Sequence, residues 1–290
     1  MIRTAVGDVE FALSEGDGPV VLVSHAGMGG VDQGWLLLDW LDPREYRLLS
    51  VSRPGYLRTP LDSGRSVVEQ ADMFAALLDA LGLERVAVIT VSSGGPPGYL
   101  LAVRHPERVA ALVAIASVSG RHTIPETAGP LAQAIFMSQP GQRLMRAVNR
   151  RKPAWMLRAM LRSTGLFSKA QLDERVAHVM ASPSARQFAS SFFDAMFPYR
   201  LRSAGTDNDG AQLRDLASLP LDQVRCPALI VHGTLDADVK FHHGVLASEH
   251  IPRAERFWIP DGDHLGFWLA PQSSQAQEAA RAFLHRCRPW

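Results

Sequence analysis

Short apolar runs alternate with longer amphipathic stretches over the first 119 residues, and the same rhythm resumes after Cys226. The runs Val20 to His25, Tyr46 to Arg53, Arg85 to Ser92, Val109 to Ser119, Cys226 to Gly233 and Arg256 to Pro260 are rich in Val, Ile and Leu. Such short, continuous apolar segments predict strands buried on both faces. Ahead of them Val6, Val9, Phe11 and Leu13, interrupted by Gly7 and Asp8, predict an antiparallel ribbon. Helices are predicted at Trp35 to Leu41, Ser66 to Leu81, Pro96 to His105, His242 to His250 and Ser273 to Arg286. In the second of these Val67, Ala71, Phe74, Leu77, Leu78 and Leu81 recur every three or four positions and share one face, and Gly82 supplies the stop. Strands alternating with helices specify an α/β fold with a mostly parallel central sheet and helices on both faces.

Between Gly120 and Asp222 the period becomes helical throughout, which divides the chain into a core of residues 1–119 and 223–290 and a helical insertion of 120–222. In the insertion Lys and Arg outnumber Asp and Glu by 14 to 8. The bias fits either a solvated helix surface or a cationic lid over a site for an anionic ligand.

Composition narrows the class. The chain has 290 residues, 47% hydrophobic and 20% charged, which excludes disordered and fibrous classes. A formal net charge of +1 gives no general attraction to nucleic acid or an anionic bilayer, so neither is expected as a partner. Two cysteines, Cys226 and Cys287, make no disulfide framework. Charge interrupts the N-terminal residues too early for a signal peptide, and no apolar run approaches ~20 residues, so a cytoplasmic location is expected.

The segment Val88-Ile89-Thr90-Val91-Ser92-Ser93-Gly94-Gly95-Pro96 runs from a strand directly into a helix. A nucleophile on such a turn needs small neighbours two positions away on either side. Thr90 and Gly94 flank Ser92, and Val91 and Gly95 flank Ser93, so the smaller pair favours Ser92. Pro96 and Pro97 suit a first helical turn, where a missing N–H costs little. Of ten histidines, His264 lies in the turn Pro260-Asp261-Gly262-Asp263-His264, just past the last predicted strand, where an open parallel sheet meets its ligands. His242, His243 and His250 are expected on a solvent-facing helix, and adjacent His242 and His243 would not face one metal.

Ser92-Ser93-Gly94-Gly95-Pro96, followed by His105-Pro106-Glu107-Arg108-Val109, resembles the nucleophile turn, helix and next strand of the α/β-hydrolase superfamily. The similarity is to its serine-dependent, esterase-like branch with a helical cap. Thr90 departs from it, since the family usually has Gly there. The resemblance implies Ser92 as nucleophile, Asp236 as triad acid and His264 as triad base, in the family's chain order. Asp238, Asp261 and Asp263 compete with Asp236 and read as turn residues or surface charges. One oxyanion donor would be the backbone N–H of Ser93. The other would come from Ser24-His25-Ala26-Gly27-Met28-Gly29-Gly30, similar to the family's His-Gly-x loop with Ala26 replacing Gly. Counting from His25 gives Gly27, with Met28 as the alternative. No Lys-Ser/Thr follows these glycines, so they are not a P-loop. Arg53-Pro54-Gly55-Tyr56 also resembles the family and is expected to brace the oxyanion loop.

This set implies acyl transfer, and the expected activity is hydrolysis of a small-molecule carboxylic ester through an acyl-enzyme on Ser92. A cofactor-free haloperoxidase or perhydrolase, or a C–C bond hydrolase, would use the same three residues, and a ligand receptor could retain the fold without turnover. No cofactor or metal is implied. A carboxylate-bearing monoester becomes a natural substrate if an arginine of the insertion faces inward. An unperturbed His264 would make activity rise near pH ~6.5.

Overall fold

The computed structural model describes residues 1–124, 130–288 and 290, with the backbone alone at 130–133. Strands β1 (Ile2–Thr4) and β2 (Gly7–Val9) form a small antiparallel ribbon. Then come β3 (Phe11–Leu13), β4 (Val20–Ser24), α1 (Val31–Leu37), β5 (Arg47–Val51), α2 (Val67–Ala80), β6 (Val86–Val91), α3 (Gly95–Arg104) and β7 (Val109–Ile115). Helices α4 (Pro130–Met137), α5 (Gln139–Arg151), α6 (Pro153–Thr164), α7 (Lys169–Ala181), α8 (Pro183–Asp194) and α9 (Ser203–Arg214) follow. The chain ends with β8 (Ala228–Gly233), α10 (His242–His250), β9 (Ala254–Ile259), α11 (Gly266–Leu269) and α12 (Ser273–Arg286).

A seven-stranded sheet has the order β3-β5-β4-β6-β7-β8-β9, parallel except where β3 pairs with β5. Alternate residues along each central strand feed two separate cores. Val23, Ile89, Val113 and Val231 pack with Leu37 of α1 and Phe283 of α12. Leu22, Val88, Leu112 and Ile230 pack with Phe74 of α2 and Leu101 of α3 on the opposite face. Both faces being covered is why the strand sequences read as unbroken apolar runs, each buried side chain contributing about 1.5–3 kcal/mol.

Local chemistry sets the ends of the elements. Ser66 and Glu69 form a reciprocal capping box at the start of α2, and Gly82, with φ of 64°, lets the Leu83 N–H reach back to the Leu78 carbonyl. Helix α1 begins at Val31, four residues ahead of the predicted Trp35, because the Ser52 hydroxyl accepts the Val31 N–H and nucleates the turn there. Strand β7 stops at Ile115 instead of Ser119. Ala116 turns left-handed, with φ of 45°, and the Ser117 hydroxyl donates to the Thr90 carbonyl.

The sheet aligns the C-terminal ends of β4, β6, β8 and β9, so Gly27, Ser92, Asp236 and His264 all follow strands at one edge. Thr90, the departure noted in the sequence, is accommodated by Gly98 on α3, where a Cβ would lie 2.1 Å from Thr90 Cγ2. The methyl of one residue fills the space a side chain at the other would need. Gly98→Ala is therefore expected to destabilise the protein by about 1–3 kcal/mol in denaturant unfolding. Adding Thr90→Ser, which removes the methyl and keeps the hydroxyl, should recover most of the loss; additive effects in the double mutant would refute the compensation.

Candidate active site

Ser92 occupies the first position after β6 with φ of 53°, a left-handed conformation that non-glycine residues rarely adopt. Two glycines make this turn possible. A Cβ at Gly94 would lie 2.2 Å from the Ser24 carbonyl oxygen, and one at Gly95 would lie 2.4 Å from that of Val118. The Val118 N–H donates to the Ser92 carbonyl at 3.0 Å and ties the turn to the end of β7. The Ser92 side chain is buried, and among the described residues its hydroxyl makes no hydrogen bond.

Asp236 and His264 meet directly. His264 Nδ1 donates to Asp236 Oδ2 at 2.9 Å, while Asp236 Oδ1 accepts the backbone N–H groups of Asp238 and Val239, each at 2.9 Å. His232 Nε2, which donates to the Val239 carbonyl at 2.7 Å, lies 3.4 Å from the same carboxylate. Burial alone would raise the Asp236 pKa, but the charges and hydrogen bonds of His264 and His232 outweigh it and hold the carboxyl below its usual range.

The other nitrogen of His264, Nε2, faces Asp238 Oδ2 at 3.6 Å. Asp238 is therefore more than the turn residue expected from sequence. Burial disfavours the imidazolium, yet the Asp236 and Asp238 carboxylates together raise His264 to about 9. Two further expectations are corrected. Asp263 is not a surface charge: it is buried, receives Arg175 Nη1 at 2.9 Å and accepts the Thr164 hydroxyl at 3.0 Å. His243 does not face solvent: its buried Nδ1 accepts the Ser119 N–H at 3.2 Å, and burial, followed by the charges of His242 and His122, lowers it to about 3.

On the other side of Ser92 the loop after β4 is held by His25. Its Nδ1 donates to the Ala26 carbonyl at 2.6 Å and its Nε2 accepts the Arg53 N–H at 3.0 Å. Burial, and then the Arg53 charge, lower its pKa well below the ordinary value, so the ring stays neutral and can play both roles. Met28 has φ of 54°, and a Cβ at Gly27 would lie 3.5 Å from Ser93 Oγ. Among the described residues the backbone N–H groups of Gly27, Met28 and Ser93 donate to no backbone carbonyl.

The insertion contributes contacts that its sequence did not announce. The Thr164 carbonyl at the end of α6 accepts the N–H of Ala237 at 3.0 Å and of His264 at 3.1 Å, and the Leu166 N–H donates to the Leu235 carbonyl at 2.8 Å. Two of its arginines turn inward, Arg175 to Asp263 and Arg202 to Asp32. Among the described residues no group of three or more His, Cys, Asp or Glu is disposed to hold a metal ion, and no helix is long and apolar enough to cross a membrane.

A parallel sheet with a strained serine turn after one strand and a hydrogen-bonded Asp/His pair after two others defines an α/β hydrolase. The chain belongs to the alpha/beta hydrolase fold family, which matches residues 19–271. It is 37% identical to an alpha/beta hydrolase fold protein from Nakamurella multipartita of known structure, with a TM-score of 0.91 over 98% of this chain and 97% of that one. It is also similar to the uncharacterized hydrolase YcgS of Bacillus subtilis (strain 168), 27% identical over 286 residues, or 96% of this chain and 95% of YcgS. With the 2-hydroxymuconate semialdehyde hydrolase of Pseudomonas putida it shares 28% identity over 207 residues, 69% of this chain and 63% of that protein.

The raised pKa of His264 moves the expected activity profile. Only the neutral imidazole can take a proton, so the acid limb of kcat/KM should lie near about 9 and not near ~6.5. Because the native state prefers the imidazolium, stability from this group is fully present below pH ~6.5 and is lost as pH rises through about 9. Asp238→Asn should shift the limb down toward ~6.5, measured as kcat/KM against pH; superimposable profiles would remove Asp238 from the account.

Proposed function

We propose that the protein is a serine hydrolase that cleaves a small-molecule carboxylic ester through an acyl-enzyme on Ser92. The observation that carries this reading is the Asp236–His264 hydrogen bond of 2.9 Å, formed at the sheet edge that also bears the left-handed Ser92 turn. Asp236 fixes the tautomer with Nδ1 protonated, which leaves Nε2 as the base.

In the proposed reaction His264 Nε2 takes the Ser92 hydroxyl proton as Oγ bonds to the substrate carbonyl carbon. The negative charge that develops on the carbonyl oxygen is received by the backbone N–H groups of Ser93 and Gly27, with Met28 as the alternative to Gly27. The C–O bond then breaks, and the leaving alkoxide takes the proton from His264. Water attacks the acyl-enzyme, its proton passes to Nε2 and on to Ser92 Oγ, and the carboxylic product departs. For Nε2 to reach Ser92, it must exchange its contact with Asp238 for one with the hydroxyl. Residues 120–222 are proposed as the cap that shapes the substrate pocket; within this segment Phe136 and Met145 pack against a cluster of Met156, Phe193 and Phe197. We place the protein in the cytoplasm, in keeping with the unpaired thiols of Cys226 and Cys287, and assign it neither a nucleic-acid nor a membrane partner.

A second reading, cleavage of a C–C bond by the same residues, is favoured by the similarity to 2-hydroxymuconate semialdehyde hydrolase. An imidazolium at neutral pH also suits proton delivery to a carbanion leaving group.

Incubation with a fluorophosphonate should label one serine per chain, and Ser92→Ala should abolish labelling and lower ester turnover on the order of 10^4–10^6-fold. Turnover of p-nitrophenyl esters without cleavage of 2-hydroxymuconate semialdehyde would support the ester reading, and the reverse the second. Folded protein that takes no label would point to a receptor.

A further inference from the structure

Asp209, on α9 of the insertion, is buried against the core although 116 and 156 positions separate it from two of its partners, Ser93 and Arg53. Its Oδ1 accepts Arg53 Nη1 at 2.7 Å, and its Oδ2 accepts Arg53 Nη2 at 2.6 Å, the Tyr56 hydroxyl at 2.7 Å and the Ser93 hydroxyl at 2.8 Å. Arg53, wholly buried, uses its remaining donors on the core. Its Nε reaches the His25 carbonyl at 3.1 Å, its Nη1 also reaches Gln70 Oε1 at 3.2 Å, and its Nη2 also reaches Ser93 Oγ at 2.9 Å.

Both segments that offer oxyanion donors, the His25–Met28 loop and Ser93, are thus bonded to one guanidinium. The counter-charge of that guanidinium comes from the insertion. A buried guanidinium keeps its geometry only while its charge is matched and its donors are filled, and the planar fork of arginine meets a carboxylate in two parallel bonds. Removing the carboxylate frees Arg53 to seek water and releases both segments together. Displacements on the order of 1 Å at such a site cost about 10²-fold in rate.

We infer that Asp209 is a positioning residue through which the seated insertion sets the oxyanion hole: its carboxylate, by holding Arg53 and Ser93, fixes the spacing between the donors at Ser93 and Gly27. The inference rests on the proposed serine hydrolase reading. It means that the insertion does more than shape a pocket, because the core alone lacks the charge that completes the hole.

The test compares Asp209→Asn with the wild type on p-nitrophenyl butyrate, together with inhibition by phenylboronic acid, which bonds to the nucleophile and mimics the tetrahedral state. Expected is a fall in kcat of about 10²-fold with KM little changed, and an equal fall in affinity for the boronic acid. Arg202→Met, which removes a different inward ion pair of the insertion, with Asp32, serves as the control for loose seating and should leave boronic acid affinity within threefold of wild type. Should Asp209→Asn fail to fold, Ser93→Ala and Tyr56→Phe carry the test. Each removes one donor to the carboxylate and should lower kcat and boronic acid affinity in parallel. Unchanged boronic acid affinity in Asp209→Asn or in those two variants, or an equal loss in Arg202→Met, overturns the inference. A wild-type protein that neither binds phenylboronic acid nor takes the fluorophosphonate overturns the hydrolase reading itself, and this inference with it.

Discussion

The contact between Asp236 and His264 is the constraint on which the site depends. A carboxylate taken out of water must have its lone pairs filled or it will protonate, and Asp236 is filled by two backbone N–H groups and the His264 ring. That arrangement engages Nδ1 of the imidazole and turns its second nitrogen away from Asp236. There it meets Asp238, and the two carboxylates keep the ring charged well above the pH at which a free histidine would lose its proton. Conditions that favour the folded state at this pair therefore oppose the base role proposed for His264.

The helical segment between β7 and β8 enters this arrangement at two places. Near Thr164 it supplies a carbonyl shared by the N–H groups of Ala237 and His264, and near Asp209 it supplies the carboxylate that neutralises Arg53. The loops that carry Asp236 and His264 are fixed by one part of it and the proposed oxyanion segments by another. The turn at Ser92 lies between them, held by close packing against Ser24, His25 and Val118, where a glycine is the only residue small enough at positions 94 and 95.

Features carried by neighbouring residues were legible in the sequence. The parallel sheet followed from apolar runs that are buried on both faces, and the serine turn from a strand that ends in Ser-Ser-Gly-Gly. The pairing of Asp236 with His264 followed only through the family resemblance, since 28 positions separate them. What stayed hidden depends on distant partners. Gly98 looks like a weak point in a helix until Thr90 is seen to occupy its missing side chain, and Asp209 looks like a helix surface residue until Arg53 is found against it. His243 was misplaced for the same reason: a helix carrying three histidines reads as polar, and only the packing of α10 toward Ser119 shows which one is buried. Strand β7 was read four residues too long because apolar composition does not register the left-handed turn at Ala116.

The most direct test of the central claim is rapid-quench kinetics on a p-nitrophenyl ester above pH 9, with the quenched protein digested and its peptides weighed. If Ser92 is the nucleophile, the result is a burst of one p-nitrophenol per chain and an acyl group on the peptide that contains Ser92. Turnover with no burst and no acylated peptide, at an enzyme concentration that would reveal one, would contradict it.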